Sequence, residues 1–223
     1  LILPADFSTA AILFLVCFTM LFVGGAKIKH LSSVVGSGII LLLLLILVNS
    51  MIPGILPRVD TWKNRIISFE SGAKKQNYQA EMAKRAVANG FLFGRGPGKG
   101  NVKDDLYSAQ SDFIYASSIE EFGSIIGGLG IVVLYLILFF RSIRIMNKTE
   151  SKFGSYLVFG LSFMLVFQSL INMGVGVNLF PVTGQPLPLI SMGGTSILFT
   201  CISLGIILNI SRTVYDANRK KTI

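Results

Sequence analysis

The chain has 223 residues, 52% of them apolar and only 14% charged, with a mean hydropathy of +0.68. Such a composition excludes a water-soluble globule and a disordered chain and points to a membrane protein. The net charge of +9, from 20 basic and 11 acidic residues, is matched more economically by membrane and substrate phosphates than by nucleic acid, because so little of the chain can face water.

Neither an initiator Met nor a signal peptide with a basic n-region is visible, and the chain opens inside an apolar stretch, so it reads as the C-terminal part of a longer protein. Cys17 and Cys201 both fall in apolar stretches, which excludes a disulfide-built secreted module and a cysteine zinc site. Asp6, shortly after Pro4, reads as an N-terminal helix cap.

A hydrocarbon core of ~30 Å needs ~20 apolar residues per helix. Five segments approach this, at 7–23, 34–52, 124–140, 156–173 and 189–210. They predict an all-α polytopic membrane protein with two spans in 1–52, a long loop over 53–111, and three spans in 112–223 with a Gly/Pro-rich loop at 174–188. Basic residues mark the short loops: Lys27 and Lys29, then Arg141, Arg144, Lys148 and Lys152, then Arg212, Arg219, Lys220 and Lys221. The positive-inside rule puts these in the cytoplasm, C-terminus included, and leaves 53–111 and 174–188 on the outer face. Ten basic residues in 58–103 run against that bias, but a loop of about sixty residues is long enough to translocate regardless of charge. They call for a role other than topology.

Within the long loop, Tyr78, Met82 and Ala86 recur at helical spacing with Glu81, Lys84 and Arg85 on other faces. This predicts an amphipathic helix that ends near Asn89-Gly90 and lies on the membrane or on the bundle. Next comes Gly94-Arg95-Gly96-Pro97-Gly98-Lys99-Gly100, a turn-forming run. It is not a Walker loop, because no Gly-Lys-Ser/Thr opens a following helix. An ordinary turn is one reading; an anion-holding nest of amides with Arg95, Lys99 and Lys103 is the other.

Asp112 follows Ser111 at the lip of an apolar helix beginning Phe113-Ile114-Tyr115-Ala116. One reading is an N-cap. The other is a general base, since a carboxylate at a wet–apolar boundary can have its pKa raised by desolvation. The two can coexist. Glu120 and Glu121, two turns on, are costly in a membrane-entering helix and need either a cavity or a cationic partner from the loop. His30 is the lone histidine and sits beside Lys29, so neither a Ser-His-Asp triad nor a histidine metal site is expected. Segment 174–188 has three prolines, three glycines and no charge, and lipid cannot satisfy such irregular backbone. It must therefore be buried in protein or line a cavity.

Phe180-Pro181-Val182-Thr183-Gly184-Gln185-Pro186-Leu187-Pro188-Leu189-Ile190-Ser191-Met192-Gly193-Gly194-Thr195-Ser196 resembles the signature before the last transmembrane helix of the SEDS family (shape, elongation, division, sporulation), the FtsW/RodA glycosyltransferases. Ser111-Asp112-Phe113-Ile114-Tyr115-Ala116 followed by Glu120-Glu121-Phe122-Gly123 is similar to a second family motif. Partial matches lie at 6–10, 65–69 and 94–98. Two positions depart: Gln110 stands where the family often has His, removing a potential pKa modulator, and Met192 where it often has Tyr. Trp62-Lys63-Asn64-Arg65-Ile66 and Pro181-Val182-Thr183-Gly184-Gln185-Pro186 look more like division-type FtsW than elongation-type RodA.

The resemblance implies the second half of a ten-helix bundle in the bacterial cytoplasmic membrane. It also implies an enzyme that polymerises the lipid-linked peptidoglycan precursor lipid II into glycan strands during cell division, with a polyprenyl diphosphate leaving group. Asp112 would be the catalytic base. Arg65, Arg95, Lys99, Lys103, Glu121, Gln185, Pro186, Ser191, Gly193 and Gly194 would bind substrate. No metal ligands and no tightly bound cofactor are expected, although a divalent cation is compatible with the leaving diphosphate. The implied partners are lipid II, the nascent strand, a class B penicillin-binding protein and other divisome membrane proteins, and not nucleic acid. Two other classes stay open: a precursor flippase or transporter, which broken apolar segments also suit, and a non-catalytic divisome scaffold, for which Asp112 would be dispensable. Transport predicts ionisable residues deep within several spans, whereas the carboxylates here cluster at the outer lip, which favours surface chemistry.

Overall fold

The computed structural model describes residues 7–51, 74–100 and 111–222, and its regular elements there are all helical. The chain groups into two compact units, residues 1–72 and 73–223.

In the first unit, α1 (Phe7–Val23) and α2 (Ile28–Met51) are joined through Gly24-Gly25. Gly25 takes a left-handed φ of +79°, and the N–H of Ala26 reaches back to the carbonyl of Leu21. A Cβ on Gly38 would sit 3.9 Å from the Phe14 ring, so α2 runs back along α1. Ile12, Val16 and Leu31 are buried, whereas Ile39, Leu43 and Leu47 leave most of α2 apolar and exposed.

The second unit contains α3 (Lys74–Gly90), α4 (Ile114–Gly123), a π-type stretch (Ser124–Gly130), α5 (Ile131–Lys148), α6 (Lys152–Gly176) and α7 (Gly194–Thr222). The central helix is α6, which packs against α3, α4, α5 and α7. Its start is capped by the Ser151 hydroxyl, which accepts the Gly154 N–H at 3.4 Å. Phe159, Phe163 and Phe167, four residues apart, stack along it with centroids 5.7 Å apart, and Phe139 of α5 packs against the first two.

Among the described residues, four helical stretches are long and apolar enough to cross a membrane: Ile28–Val48, Ile114–Lys148, Lys152–Gly176 and Gly194–Ala217. At 7–23, where a fifth span is expected, the described residues hold a shorter apolar helix, Ser8–Val23. Other boundaries move as well, and the expected 189–210 span begins only at Gly194. The expected 34–52 span begins at Ile28, and the 124–140 span is preceded by the ten residues of α4.

The expected amphipathic helix exists and ends at Gly90. It lies on the bundle, with Ala83 and Ala86 buried against Phe113, Ala116 and Val175. Tyr78, expected on the apolar face, is exposed instead, because the buried face runs through Ala83, Ala86 and Gly90.

Candidate functional site

Ser111, Asp112 and Phe113 form a turn that enters α4. The N-cap position falls on Phe113, with φ −112° and ψ 16° and no side-chain cap bond, so the cap reading does not place Asp112 at that position. The α4 ladder starts with Ser117 N–H donating to the Phe113 carbonyl at 3.1 Å. The carbonyls of Ser111 and Asp112 therefore lie outside the ladder and need other donors.

Two nearly fully buried side chains supply them. The Ser191 hydroxyl, 2% exposed, donates to the Ser111 carbonyl at 2.7 Å and accepts the Leu187 N–H at 2.7 Å. The Asn172 amide, 1% exposed, donates to the Asp112 carbonyl at 3.2 Å and to the Gln185 carbonyl at 2.7 Å. Phe113, buried on Ala83, Ala86, Ala116 and Val175, anchors the turn from below, and Asp112 itself is half-buried.

The uncharged Gly/Pro segment is held in protein, as its composition requires. Gln168 of α6 donates to the Pro186 carbonyl at 3.1 Å, and the Tyr135 hydroxyl of α5 donates to that of Pro188. Leu187 is buried among Tyr115, Ile119, Tyr135, Val166 and Met173. Leu189 takes a left-handed φ of +69°, a conformation that bulky residues rarely adopt. The tight turn there lets Ser191 reach back to Leu187.

At the far end of α4 the helix is interrupted. Gly123 has φ +81°, and the glycine-rich loop inserts its backbone at the break. The N–H groups of Arg95 and Gly96 donate to the carbonyls of Glu120 and Glu121, each at 2.9 Å, while Ser124 N–H donates to the Phe91 carbonyl at 2.9 Å. The loop thus satisfies helix groups that the break sets free. A Cβ on Gly90 would lie 2.0 Å from the Ile119 carbonyl oxygen, and one on Gly123 would lie 2.3 Å from that of Leu92, so the two backbones touch directly.

Glu120 is buried here. Asn89 donates to its Oε1 at 3.2 Å, and the half-exposed Arg95 guanidinium lies 4.0 Å away. The cationic-partner reading of Glu120 therefore holds. In the loop, the N–H groups of Gly94, Arg95, Gly96 and Lys99 donate to backbone carbonyls, while Lys103 of the expected nest lies outside the described residues.

The model of the FtsW/RodA/SpoVE family, described as a cell cycle protein, matches residues 1–216. The chain belongs to this family. It is 35% identical over 216 residues to the stage V sporulation protein E of Bacillus subtilis (strain 168), covering 93% of this chain and 55% of that protein. It is 32% identical over 228 residues to the probable peptidoglycan glycosyltransferase FtsW of Aliivibrio salmonicida (strain LFI1238), covering 98% and 54%. A solved chain described under "Structural coordination of polymerization and crosslinking by a peptidoglycan synthase complex" superposes with a TM-score of 0.68 at 26% identity, over 96% of this chain and 58% of that one. The chain spans about half the length of the curated relatives it matches.

In this SEDS-family chain the structure brings Asp112, Gln185, Pro186 and Ser191 together. Gly193 and Gly194 lie at the entry to α7, where the Gly193 carbonyl accepts the Ile197 N–H at 2.9 Å. Arg95, Lys99 and Glu121 gather instead around the Gly123 break, about 15 Å along α4 from the Asp112 turn. Arg65, Lys103, Gln110 and the Trp62 segment lie outside the described residues. Among the described residues, no three His, Cys, Asp or Glu side chains converge to hold a metal ion.

Sequence reasoning missed Asn172, Gln168 and Tyr135. A signal for the first two was present: Gln168, Ser169 and Asn172 are uncharged polar residues on one stretch of an otherwise apolar spanning helix, where polar groups need partners.

Proposed function

We propose that this SEDS-family chain carries the catalytic carboxylate of a peptidoglycan glycosyltransferase that polymerises lipid II on the outer face of the bacterial cytoplasmic membrane. The observation that carries the reading is Asp112 itself: a half-buried carboxylate residue on a non-helical turn whose Ser111 and Asp112 carbonyls accept hydrogen bonds from the buried Ser191 and Asn172 side chains. Its match to the family's catalytic Asp and the relatives named as probable glycosyltransferases support it.

The chemistry follows from these groups. A sugar hydroxyl attacks the anomeric carbon of the second substrate; Asp112 accepts the hydroxyl proton, the C–O bond to the diphosphate breaks, and polyprenyl diphosphate leaves. Negative charge grows on the leaving group, and the Arg95 and Lys99 side chains at the other end of α4 are the described cations suited to stabilise it. The uncharged segment with Gln185 and Pro186 shapes the sugar groove beside Asp112. No tightly bound cofactor is invoked.

The orientation puts 53–111 outside and the C-terminus in the cytoplasm, following the short-loop charge bias. A Cys replacing Lys84 should react with a membrane-impermeant reagent in intact cells, and one replacing Arg144 should not. The reverse pattern overturns the orientation. A class B penicillin-binding protein is the proposed partner, supported by the likeness to a synthase complex, and co-purification from detergent tests it. The division-type branch is supported by relatives named FtsW, and rescue of FtsW-depleted cells tests it.

One observation favours transport of the precursor instead: the helix break at Gly123 within a spanning stretch. The deciding experiment is polymerisation of lipid II by the purified full-length protein with its partner. Asp112→Asn keeps the side-chain shape, so the protein should fold while synthesis falls by ~10²-fold or more. Near-normal synthesis by the folded variant removes Asp112 as the base and turns attention to Glu121.

A further inference from the structure

We infer that Asn172 is a positioning residue for Asp112, acting with Ser191 as a two-point clamp that fixes the turn on which the carboxylate rides. The inference rests on the reading of Asp112 as general base. The α4 ladder begins with Ser117 N–H on the Phe113 carbonyl, so the Ser111 and Asp112 carbonyls fall just ahead of it. Each carbonyl instead receives one side-chain donor from a segment distant in sequence: Ser191 at 2.7 Å and Asn172 at 3.2 Å. Both donors are nearly fully buried, so water cannot replace either bond at no cost.

Asn172 does more than hold one carbonyl. The same amide nitrogen donates to the Gln185 carbonyl at 2.7 Å, and the Ser191 hydroxyl accepts the Leu187 N–H at 2.7 Å. The turn bearing Asp112 and the segment bearing Gln185 and Pro186 are thus fixed to each other through two side chains. A proton acceptor must sit within hydrogen-bond reach of the hydroxyl it activates, and a displacement of ~1 Å can cost ~10²-fold in rate. The amide is chemically required. Asn172 presents N–H donors to two carbonyl oxygens, and a carboxylate at this position would face both with lone pairs. The Asn172 Oδ1 is buried and accepts no hydrogen bond, so the residue holds its place as a donor.

The test uses the full-length protein with its partner and reads two independent quantities. First, Asn172→Ala is expected to lower kcat for lipid II polymerisation by ~10-fold or more with KM changed less than ~2-fold. In an Asp112→Asn background the same substitution should cost less than ~2-fold further, because a positioning residue has nothing left to position. Second, amide hydrogen exchange over 111–117 should rise in Asn172→Ala while α5 remains protected.

Equal losses in the two backgrounds, or an unchanged kcat, overturn the positioning role even if exchange rises. Unchanged exchange over 111–117 overturns the clamp. If Asp112→Asn itself polymerises normally, the base reading falls, and the exchange measurement still decides the clamp. Should Asn172→Ala fail to fold, Ser191→Ala, which removes a single hydroxyl, is carried through the same measurements with the same expected and overturning results.

Discussion

Two irregular segments rich in glycine and proline flank the candidate site, and they are held by opposite means. Segment 94–100 is tied to α4 mainly by main chain: the N–H groups of Arg95 and Gly96 bond to the carbonyls of Glu120 and Glu121, and the backbones touch through Gly90, Gly94 and Gly123. Segment 181–191 is tied mainly by side chains: Gln168, Asn172 and Tyr135 reach its carbonyls from α5 and α6, and Ser191 closes it on itself. A main-chain splice depends on the absence of Cβ atoms and is indifferent to most side chains. A side-chain clamp has the reverse sensitivity. The charged loop can therefore vary its cations without losing its place, whereas the uncharged loop depends on particular residues of two helices.

The largest expected effect breaks the splice. Gly123→Ala places a Cβ 2.3 Å from the Leu92 carbonyl oxygen at a residue with φ +81°, and neither backbone can yield without losing the bonds around the break. The expected loss is about 3 kcal/mol or more, seen as a large fall in Tm of the detergent-solubilised protein. Gly90→Ala, with its Cβ 2.0 Å from the Ile119 carbonyl oxygen, should behave the same way. A Tm unchanged in both variants would mean that the two backbones are not in contact.

Next in size is the buried carboxylate beside the splice. Glu120→Ala removes the acceptor for Asn89 and the partner of Arg95, and it opens a void in a fully buried place. A loss of about 2 kcal/mol is expected from the unmet Asn89 donor and the cavity. Arg95→Ala should cost far less, because its guanidinium is half-exposed and its backbone N–H, which makes the splice, is kept. If Arg95→Ala were the more damaging of the two, side chains rather than main chain would be holding this loop.

On the other side of the comparison, Tyr135→Phe removes one hydroxyl and leaves the Pro188 carbonyl buried without its donor. About 1–2 kcal/mol of stability should go with it. Because Pro188 lies close in sequence to Ser191, hydrogen exchange over 187–192 should rise with the substitution. No change in Tm or exchange would show that the clamp does not need this bond.

These two means of attachment were unequally legible in the sequence. That segment 174–188 had to be buried in protein or line a cavity followed from its lack of charge and its broken backbone, and the end of α3 near Gly90 followed from Asn89-Gly90. The clamp was not legible, because Asn172 lies 60 positions from Asp112, and no local pattern pairs an amide in one helix with a carbonyl in another turn. The break at Gly123 was hidden for a related reason. The apolar run from Ser124 onward looks like an ordinary span, and what precedes it is set by backbone contact with a loop more than twenty residues away. The family motifs located Asp112, Gln185 and Ser191, but they did not distinguish a residue that meets substrate from one that is buried, as Ser191 is.

The smallest expected effect sharpens the comparison, because it makes one change in both loops where an added Cβ has open space. Gly98 and Gly184 have nearly equal left-handed φ values, +76° and +73°, and a Cβ on either would meet nothing within 4 Å. Alanine at each should therefore cost only the local penalty of that conformation, about 1 kcal/mol, and nothing from crowding. Asparagine, which tolerates the left-handed region, should recover part of the loss at both positions. The expected result is two equal, small shifts in Tm, well below that of Gly123→Ala. A much larger loss for Gly184→Ala than for Gly98→Ala would show that the side-chain clamp also fixes the backbone of the uncharged loop away from its anchored carbonyls, and the contrast between the two loops would then have to be redrawn.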